Sequence, residues 1–232
     1  MRVVITGGGG FLGSKLATAL LARGKLAGPD GNPHEISKLV LLDTAFPTPR
    51  PADPRIEKVT GDLSDGALLE RVITPNTASL FHLAAVVSGA AEADFDLGMR
   101  VNLDGTRRVL ERLRLCERPP RVVFSSSVAA FGGDLPPELD DSTTPNPQTS
   151  YGAQKVASEY LITDYSRKGF IDGRSLRLPT IVVRAGKPNA AASSFASSIL
   201  REPLNGEACD CPVDAQTGVW LLSPRRVTEA FV

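Results

Sequence analysis

Histidine and cysteine, which supply many metal-binding side chains, are scarce in this sequence. The 232 residues include two histidines, His34 and His82, and three cysteines. Cys209 and Cys211 form a C-x-C pair, but a zinc site needs two more ligands, and neither histidine lies near the pair in the sequence. We therefore expect no metal site. An odd, low cysteine count is typical of reduced thiols and favours a cytoplasmic location.

An excess of one charge and a long apolar segment are also missing. Lysine and arginine total 26, and aspartate and glutamate total 26, so the formal net charge is zero. This balance argues against a nucleic-acid partner. No apolar run approaches the roughly 20 residues that span a bilayer, and the first residues resemble a strand rather than a signal peptide. A hydrophobic content of 42% suits one large domain, alone or with a small appendage.

Short apolar runs alternate with helical patterns along most of the chain. Apolar spacing predicts helices over residues 11–23, 95–116 and 150–168, the first ending at Gly24 and the last at Gly169. The six predicted strands are RVVIT (2–6), KLVLLD (38–43), RIEKVTGD (55–62), SLFHLAA (79–85), RVVFSSS (121–127) and GRSLRLPTIV (173–182). This alternation indicates an α/β fold, a Rossmann-like doubly wound parallel sheet with helices on both faces. Residues 25–37 are predicted to form an exposed loop.

The alternating pattern weakens after Arg184. AAASSFASSIL favours a helix of small residues, GVWLLS a short strand, and SPRRVTEAFV a helix that begins with a serine cap and a proline. Because the sequence ends within that last helical pattern, we expect residues 183–232 to be a small, apparently truncated substrate-binding part. Residues 1–182 are expected to form a cofactor-binding domain with the catalytic residues.

A glycine-rich turn separates the first strand from the first helix. Residues 7–10 are all glycine, and Gly13 follows. Two registers are possible, Gly8-x-Gly10-x-x-Gly13 and Gly7-x-x-Gly10-x-x-Gly13. Either one brings a pyrophosphate close to the N–H groups of a helix N-terminus. A plain tight turn is the alternative, but the strand and helix around the glycines favour nucleotide binding.

An acidic residue, Asp43, ends the second predicted strand. A carboxylate there accepts hydrogen bonds from the adenosine ribose and repels a 2′-phosphate, which favours NAD over NADP. It lies 30 residues after Gly13 rather than the usual spacing of about 20, and the inserted loop accounts for the difference. A solvated carboxylate at a strand end is the alternative interpretation.

Tyr151 and Lys155 lie four residues apart at the start of a predicted helix, so they project from one face. A nearby ammonium favours phenolate, and the tyrosine could then take the proton of a substrate alcohol while hydride leaves for NAD. Three serines at the end of the fifth strand, residues 125–127, could hold the same oxygen. The Y-x-x-x-K pattern alone is usually just a helix surface, whereas its combination with the glycine loop and Asp43 is specific.

The motifs TGGGGFLG, GDL, HLAA, VNLDGT, SSSVAAFGG and YGAQK occur in this order. They resemble the extended short-chain dehydrogenases/reductases, the NAD-dependent epimerase/dehydratase family, over residues 1 to about 190. The resemblance implies a catalytic triad of Ser127, Tyr151 and Lys155, with Ser126 as the second candidate for the serine. The implied NAD-binding residues are Gly7, Gly10, Phe11, Leu12, Gly13, Asp43, Asp62, Leu63, Leu83, Ala84, Ala85, Asn102, Tyr151, Lys155 and Pro179. Gly8 and Gly9 are left as turn-formers that a small side chain could replace, and Phe131 stands where the family has tyrosine.

The stretch from Leu176 onward resembles the D-erythronate dehydrogenase branch of this family. That resemblance implies NAD-linked oxidation of the C2 hydroxyl of a four-carbon sugar acid, a small-molecule partner, and a possible homodimer. An arginine suits a carboxylate. The expected substrate-binding residues are Ser88, Ser126, Ser127, Tyr151 and Arg184, with Lys187 and Asn189 as nearby polar candidates. The alternatives are a nucleotide-sugar epimerase and a non-catalytic protein that senses NAD.

Overall fold

The computed structural model describes residues 1–46, 53–186 and 190–232. Within these ranges the strands are β1 (Arg2–Thr6), β2 (Lys25–Ala27), β3 (Pro33–Glu35), β4 (Lys38–Asp43), β5 (Ile56–Thr60), β6 (Thr77–His82), β7 (Arg121–Ser127), β8 (Asp172–Leu178), β9 (Thr180–Ile181) and β10 (Leu221–Leu222). The α-helices are α1 (Phe11–Arg23), α2 (Gly66–Val72), α3 (Ser88–Ala93), α4 (Phe95–Gly98), α5 (Gly105–Leu113), α6 (Ser150–Arg167), α7 (Phe195–Leu204) and α8 (Pro224–Phe231).

Six strands form one parallel sheet in the order β5-β4-β1-β6-β7-β8. The chain builds outward from β1 to β5, then crosses back to place β6 on the other side of β1. The order therefore reverses between β1 and β6, and ligands bind at the carboxyl edge of such a reversal. The predicted α/β fold with a doubly wound parallel sheet is confirmed.

The sheet buries an apolar layer on each face because alternate residues of each strand point to opposite sides. On one face Val4 and its neighbours pack against apolar residues of α2, α5 and α6. On the other face Val3 and Ile5 pack against α1 and α8, with Leu16, Leu20 and others completely buried. Helices on both faces leave the strand ends as the open edge, where the site lies.

Some predicted elements differ in detail from the structure. The fourth strand stops at His82 and the sixth at Leu178, earlier than expected, because the following residues turn away to line the carboxyl edge. The predicted exposed loop contains the antiparallel pair β2–β3. The single helix predicted over residues 95–116 contains a π-helical segment, Met99–Asp104, between α4 and α5.

Residues after Arg184 fold back onto the sheet domain. Strand β10 pairs with β9, and α8 packs its buried Val227 and Phe231 against the layer that includes α1. The serine and proline at the start of α8 act as expected, since the Ser223 hydroxyl accepts a hydrogen bond from the Arg226 N–H at 3.2 Å. In the described ranges no helix has the length and apolar character needed to cross a membrane.

Candidate active site

Two clefts lie at the carboxyl edge of the sheet. One, of about 400 Å³, reaches from the glycine turn to Tyr151 and Arg184. The other, of about 390 Å³, reaches from the glycine turn to Asp43 and Asp62. Both are lined by Gly7, Gly10, Leu83 and Ala85. The clefts therefore meet at the end of β1, as an extended dinucleotide laid across the reversal point requires.

The glycine turn is shaped by close backbone packing. Gly7 has a φ of +72°, and a Cβ atom there would lie 2.7 Å from the Ala84 nitrogen. A Cβ at Gly13 would lie 2.1 Å from the Gly7 oxygen. At Gly10 the nearest described atom to a Cβ is the Gly7 oxygen at 3.3 Å, so its open side faces the groove. The turn brings the N-terminus of α1 to the groove, which is the setting that binds a pyrophosphate.

The expectation that Gly8 and Gly9 are replaceable is wrong. A Cβ at Gly9 would lie 2.1 Å from the Ala45 oxygen, and one at Gly8 would lie 2.8 Å from the Leu41 Cβ. Contacts this short would displace β4 itself at Leu41 and the segment that follows it at Ala45. All of the consecutive glycines except Gly10 are thus required by packing within the protein itself.

Asp43 joins the end of β4 to the glycine turn that follows β1. Its Oδ2 accepts hydrogen bonds from the N–H groups of Gly9 at 2.9 Å and Gly10 at 3.1 Å. Its Oδ1 accepts one from the Thr44 N–H at 2.7 Å. The carboxylate also lines the second cleft. Asp43 therefore has a structural role in the turn in addition to the expected ribose contact.

The second cleft contains the other residues expected around the adenosine. Its lining includes Asp62, Leu63, Leu83, Ala84 and Ala85, together with Leu42, Thr44, Gly61, Val86, Leu97 and Val101, which sequence reasoning did not identify.

Asn102, expected to bind the cofactor, lines neither cleft in the described part of the chain. It is buried in the π-helical segment, where it accepts from the Val86 N–H at 2.8 Å and donates to the Val86 carbonyl at 3.1 Å. Because Val86 lines the second cleft, these two hydrogen bonds of Asn102 fix the backbone of the cleft wall.

Ser127, Tyr151 and Lys155 meet in the first cleft. The Ser127 hydroxyl lies beside the Tyr151 phenol and accepts a hydrogen bond from the Ala129 N–H at 3.1 Å. Lys155 is buried beneath them: its Nζ donates to the Ser125 carbonyl at 2.8 Å and lies 5.6 Å from the centre of the Tyr151 ring. The fold brings together the three residues that the motif order indicates.

The pKa values of Tyr151 and Lys155 differ from the sequence expectation that a nearby ammonium lowers the pKa of the tyrosine. Burial raises the pKa of Tyr151, and the Ser127 hydrogen bond offsets this only in part. Burial also lowers the pKa of Lys155 to about 7, against a smaller raising effect of the Glu159 carboxylate. The lysine therefore loses its proton more readily than an exposed lysine, and the pKa of the phenol lies above its ordinary value.

Ser126 is engaged elsewhere, although it also lines the cleft. Its hydroxyl donates a short hydrogen bond to the Glu159 carboxylate. Glu159 in turn pairs with Arg177 of β8, whose guanidinium lies 4.9 Å over the Phe131 ring. This arrangement favours Ser127 over Ser126 as the serine that donates to a substrate oxygen.

A buried histidine supports the same edge. Both ring nitrogens of His82 form hydrogen bonds: Nδ1 lies 2.6 Å from the Thr6 hydroxyl and Nε2 lies 2.9 Å from the Thr106 hydroxyl. Since Thr106 donates its own hydrogen to the Asn102 carbonyl, it accepts from Nε2, and Nε2 therefore carries a hydrogen. Burial, with a smaller effect of Lys155, lowers the pKa of His82 to about 3.

The first cleft is also lined by the expected substrate-binding residues Ser88 and Arg184 and by Pro179. The Ser88 hydroxyl accepts from the Ala192 N–H at 3.0 Å. Arg201, which no motif indicated, also lines this cleft and donates to the Arg184 carbonyl at 2.5 Å. The candidates Lys187 and Asn189 lie outside the described residues. The remaining lining residues missed by sequence reasoning are Val87, Leu178, Thr180, Ile181, Ala191, Ser193, Ser194 and Ser197.

Comparison with known proteins identifies the family. The model of the NAD dependent epimerase/dehydratase family matches residues 3–217. The chain belongs to this family. NAD is therefore its cofactor, and the predicted resemblance is confirmed.

Members of the family with high similarity include two named D-erythronate dehydrogenase. The protein from Cupriavidus necator is 60% identical and that from Haemophilus influenzae 50% identical, each over all of this chain and 71% of its own length. A crystal structure described as a nucleoside-diphosphate-sugar epimerase from Agrobacterium tumefaciens has a TM-score of 0.89 and 42% identity over 99% of this chain and 67% of that one. With these relatives, the chain is an NAD-dependent dehydrogenase that acts on a CH–OH group.

The site fits the cofactor of the family. Gly10 keeps the space beside the N-terminus of α1 open, and a carboxylate at Asp43 stands at the end of the second cleft. A dinucleotide needs both features, one for its pyrophosphate and one for a ribose. The described residues hold no cluster of three or more histidine, cysteine or acidic side chains that could bind a metal ion.

Proposed function

We propose that the protein oxidises a secondary hydroxyl of a small sugar acid, D-erythronate to 2-dehydro-D-erythronate. The observation that carries this proposal is that Arg184, Ser127 and Tyr151 line one cleft of about 400 Å³. Such a cleft offers both a cation for an acid group and a proton acceptor. The names and the 60% and 50% identities of the two relatives give the substrate.

The chain's own residues supply the proton chemistry. Ser127 donates a hydrogen bond to the substrate hydroxyl oxygen, and the Tyr151 oxygen takes its proton as the carbonyl forms. NAD, which the glycine turn and Asp43 would hold, would supply the hydride acceptor and a positive charge at this site. Because burial raises the pKa of Tyr151, the phenolate needs positive charge beside it, and Lys155 is the cation that α6 brings there.

We place the carboxylate of the substrate at Arg184. A guanidinium binds a carboxylate through two parallel hydrogen bonds, which fixes orientation as well as position. No described residue accepts a hydrogen bond from the Arg184 guanidinium, whereas Arg201 is held by Ser198 and Glu202. Ser88, which lines the same cleft, is our candidate for binding a substrate hydroxyl.

A nucleotide-sugar epimerase is the second candidate, because the structure from Agrobacterium tumefaciens carries that description. An epimerase uses the same triad but needs room for a nucleotide beyond the sugar. A non-catalytic NAD sensor is disfavoured, since the serine, tyrosine and lysine are all present and in contact.

A substrate panel decides between these functions. The protein is incubated with NAD and D-erythronate, other aldonates, uronates, or UDP-sugars, and NADH absorbance is followed. We expect turnover with D-erythronate above the other acids. Activity on a UDP-sugar with none on any sugar acid would overturn the proposal, and NAD binding without turnover on any compound would indicate the sensor.

Three further parts of the proposal concern organisation. We assign cofactor binding and the catalytic triad to residues 1–182, and a partial substrate-binding region that includes Arg184 to residues 183–232. We assign a homodimer formed through the helices beside β6 and β7, supported by the exposed side chains of Phe95 on α4 and Tyr160 on α6. Light scattering tests the dimer.

We assign a cytoplasmic location, supported by the unpaired thiols of Cys116, Cys209 and Cys211.

A further inference from the structure

Glu159 is a buried carboxylate that the catalytic scheme does not use. Its side chain is 11% exposed, and the Ser126 hydroxyl donates to its Oε1. Arg177 reaches it through Nε, 3.1 Å from each oxygen, and through Nη2, 2.8 Å from Oε2. A buried ion pair contributes little to stability once its desolvation is counted, so its presence beside the site calls for another explanation.

Glu159 follows Lys155 by one helical turn, so the two side chains share a face of α6. Lys155 is 2% exposed, and its Nζ hydrogen bond goes to the neutral Ser125 carbonyl. A buried ammonium that has only a neutral acceptor is costly and tends to lose its proton. An anion nearby is therefore needed if the lysine is to act as a cation.

In the described part of the chain, the elements packed around Lys155 supply one such anion, the Glu159 carboxylate. His82 on β6 is neutral at working pH because its pKa is lowered to about 3, and the raised pKa of Tyr151 keeps the phenol neutral. The Glu159 carboxylate raises the pKa of Lys155, against the larger effect of burial. The groups that face Lys155 are Tyr151 and Glu159 from α6, His82 from β6, the Phe124 ring and Ser125 carbonyl from β7, and Arg177 from β8 behind Glu159.

We propose that Glu159, clamped by Ser126 and Arg177, is a positioning residue that keeps Lys155 charged for the reaction. It touches neither substrate nor cofactor and acts through the lysine. Arg177 sets the strength of the effect, since its guanidinium partly neutralises the carboxylate. The catalytic consequence of this inference rests on the proposed function. The effect of Glu159 on the titration of Lys155 does not.

Two substitutions in the pair have opposite expected effects on the Lys155 pKa. Glu159→Gln keeps the shape and the hydrogen-bonding oxygen but removes the charge, so the Lys155 pKa falls. Arg177→Met leaves the carboxylate without its guanidinium, so the Lys155 pKa rises. A role in packing alone would not give opposite signs. Asp164→Asn is the matched control, because Asp164 is an exposed carboxylate on the same helix.

The direct measurement is an NMR titration of protein with ¹³C-labelled lysine, in which the Lys155 signal is assigned by its loss in Lys155→Met. It needs no substrate. In parallel, kcat and KM are measured against pH with NAD and D-erythronate. If the Lys155 pKa falls by one unit in Glu159→Gln, the charged fraction of Lys155 falls about tenfold at any pH above the wild-type pKa. At such a pH we expect kcat to fall by the same factor and KM to change little. Glu159→Asp restores part of the rate.

An unchanged Lys155 titration in Glu159→Gln, or a shift equal to that in Asp164→Asn, would overturn the inference. If Arg177→Met does not fold, the comparison of Glu159→Gln with Asp164→Asn decides the matter alone. Failure of the wild-type protein to oxidise any sugar acid would overturn the proposed function instead, and the titration result would stand separately from it.

Discussion

The carboxylate of Asp43 accepts a hydrogen bond from the Gly9 N–H at 2.9 Å, across 34 residues of sequence. This contact ties the end of β4 to the glycine turn after β1. The acid that we expect to contact the ribose and the turn that we expect to receive the pyrophosphate therefore form one unit. Each of the two residues can be tested by substitution.

Asp43→Ala is expected to weaken NAD binding by about tenfold or more, equivalent to about 1.4 kcal/mol, and to raise the NADP-to-NAD affinity ratio. The proposed role of the lost carboxylate is to accept hydrogen bonds from the ribose and to repel a 2′-phosphate. Calorimetry with each dinucleotide measures the ratio. An unchanged ratio, with the protein folded, would remove Asp43 from the ribose contact and leave only its structural role.

Gly9→Ala and Gly10→Ala are expected to affect different properties. The Gly9 Cβ would lie 2.1 Å from the Ala45 oxygen, so Gly9→Ala should lower the free energy of unfolding by about 1 to 3 kcal/mol. The Gly10 Cβ would meet only the Gly7 oxygen, at 3.3 Å. Gly10→Ala should thus unfold like the wild type but bind NAD weakly. Urea unfolding and NAD titration of both variants check this, and equal stability of the two would contradict it.

Tyr151→Phe is expected to reduce kcat by a factor of about 10² to 10⁴ while NAD affinity stays within about threefold, because it removes only the proton acceptor. Tyr160→Phe is the control, since Tyr160 lies on the same helix with 66% of its side chain exposed. If Tyr151→Phe instead loses NAD binding with no separate effect on turnover, the assigned role as base is wrong.

Arg184→Gln is expected to raise KM for a sugar acid about 10- to 100-fold, the range for losing a charge-assisted hydrogen bond. KM for the corresponding neutral polyol, which has no carboxylate, should not change. Arg174→Gln provides the control, because Arg174 is an exposed arginine on β8 paired with Asp172. An equal rise of KM for acid and polyol would show that Arg184 does not bind the carboxylate.

His82 is expected to make the protein less stable in acid. The folded protein keeps the ring neutral down to about pH 3, whereas the unfolded chain takes up a proton near pH 6.5. The unfolded state thus binds more protons between these values, and the free energy of unfolding falls as pH drops from about 6.5 to about 3. His82→Gln should flatten that part of the curve. Urea unfolding from pH 3 to 7 measures both proteins, and identical slopes would contradict the prediction.

Much of this fold and site could be predicted because the signals are local. Near-continuous apolar runs indicate strands and helical spacing indicates helices, and the order of these elements then limits the sheet to a doubly wound arrangement. Asp43 and Ser127 stand at strand ends, and Tyr151 and Lys155 are one turn apart on one helix. Their convergence follows from the topology of the sheet.

Other features were decided only by the tertiary structure. The contact between Ser126 and Glu159 joins residues 33 apart in sequence, and Arg201 reaches the Arg184 carbonyl from the far end of α7. The need for glycine at Gly9 arises from the carbonyl of another strand end. The charge states of Tyr151 and Lys155 depend on how deeply the fold buries them. Sequence by itself determines which groups are present and their local spacing, whereas desolvation and close approach exist only once distant segments pack together.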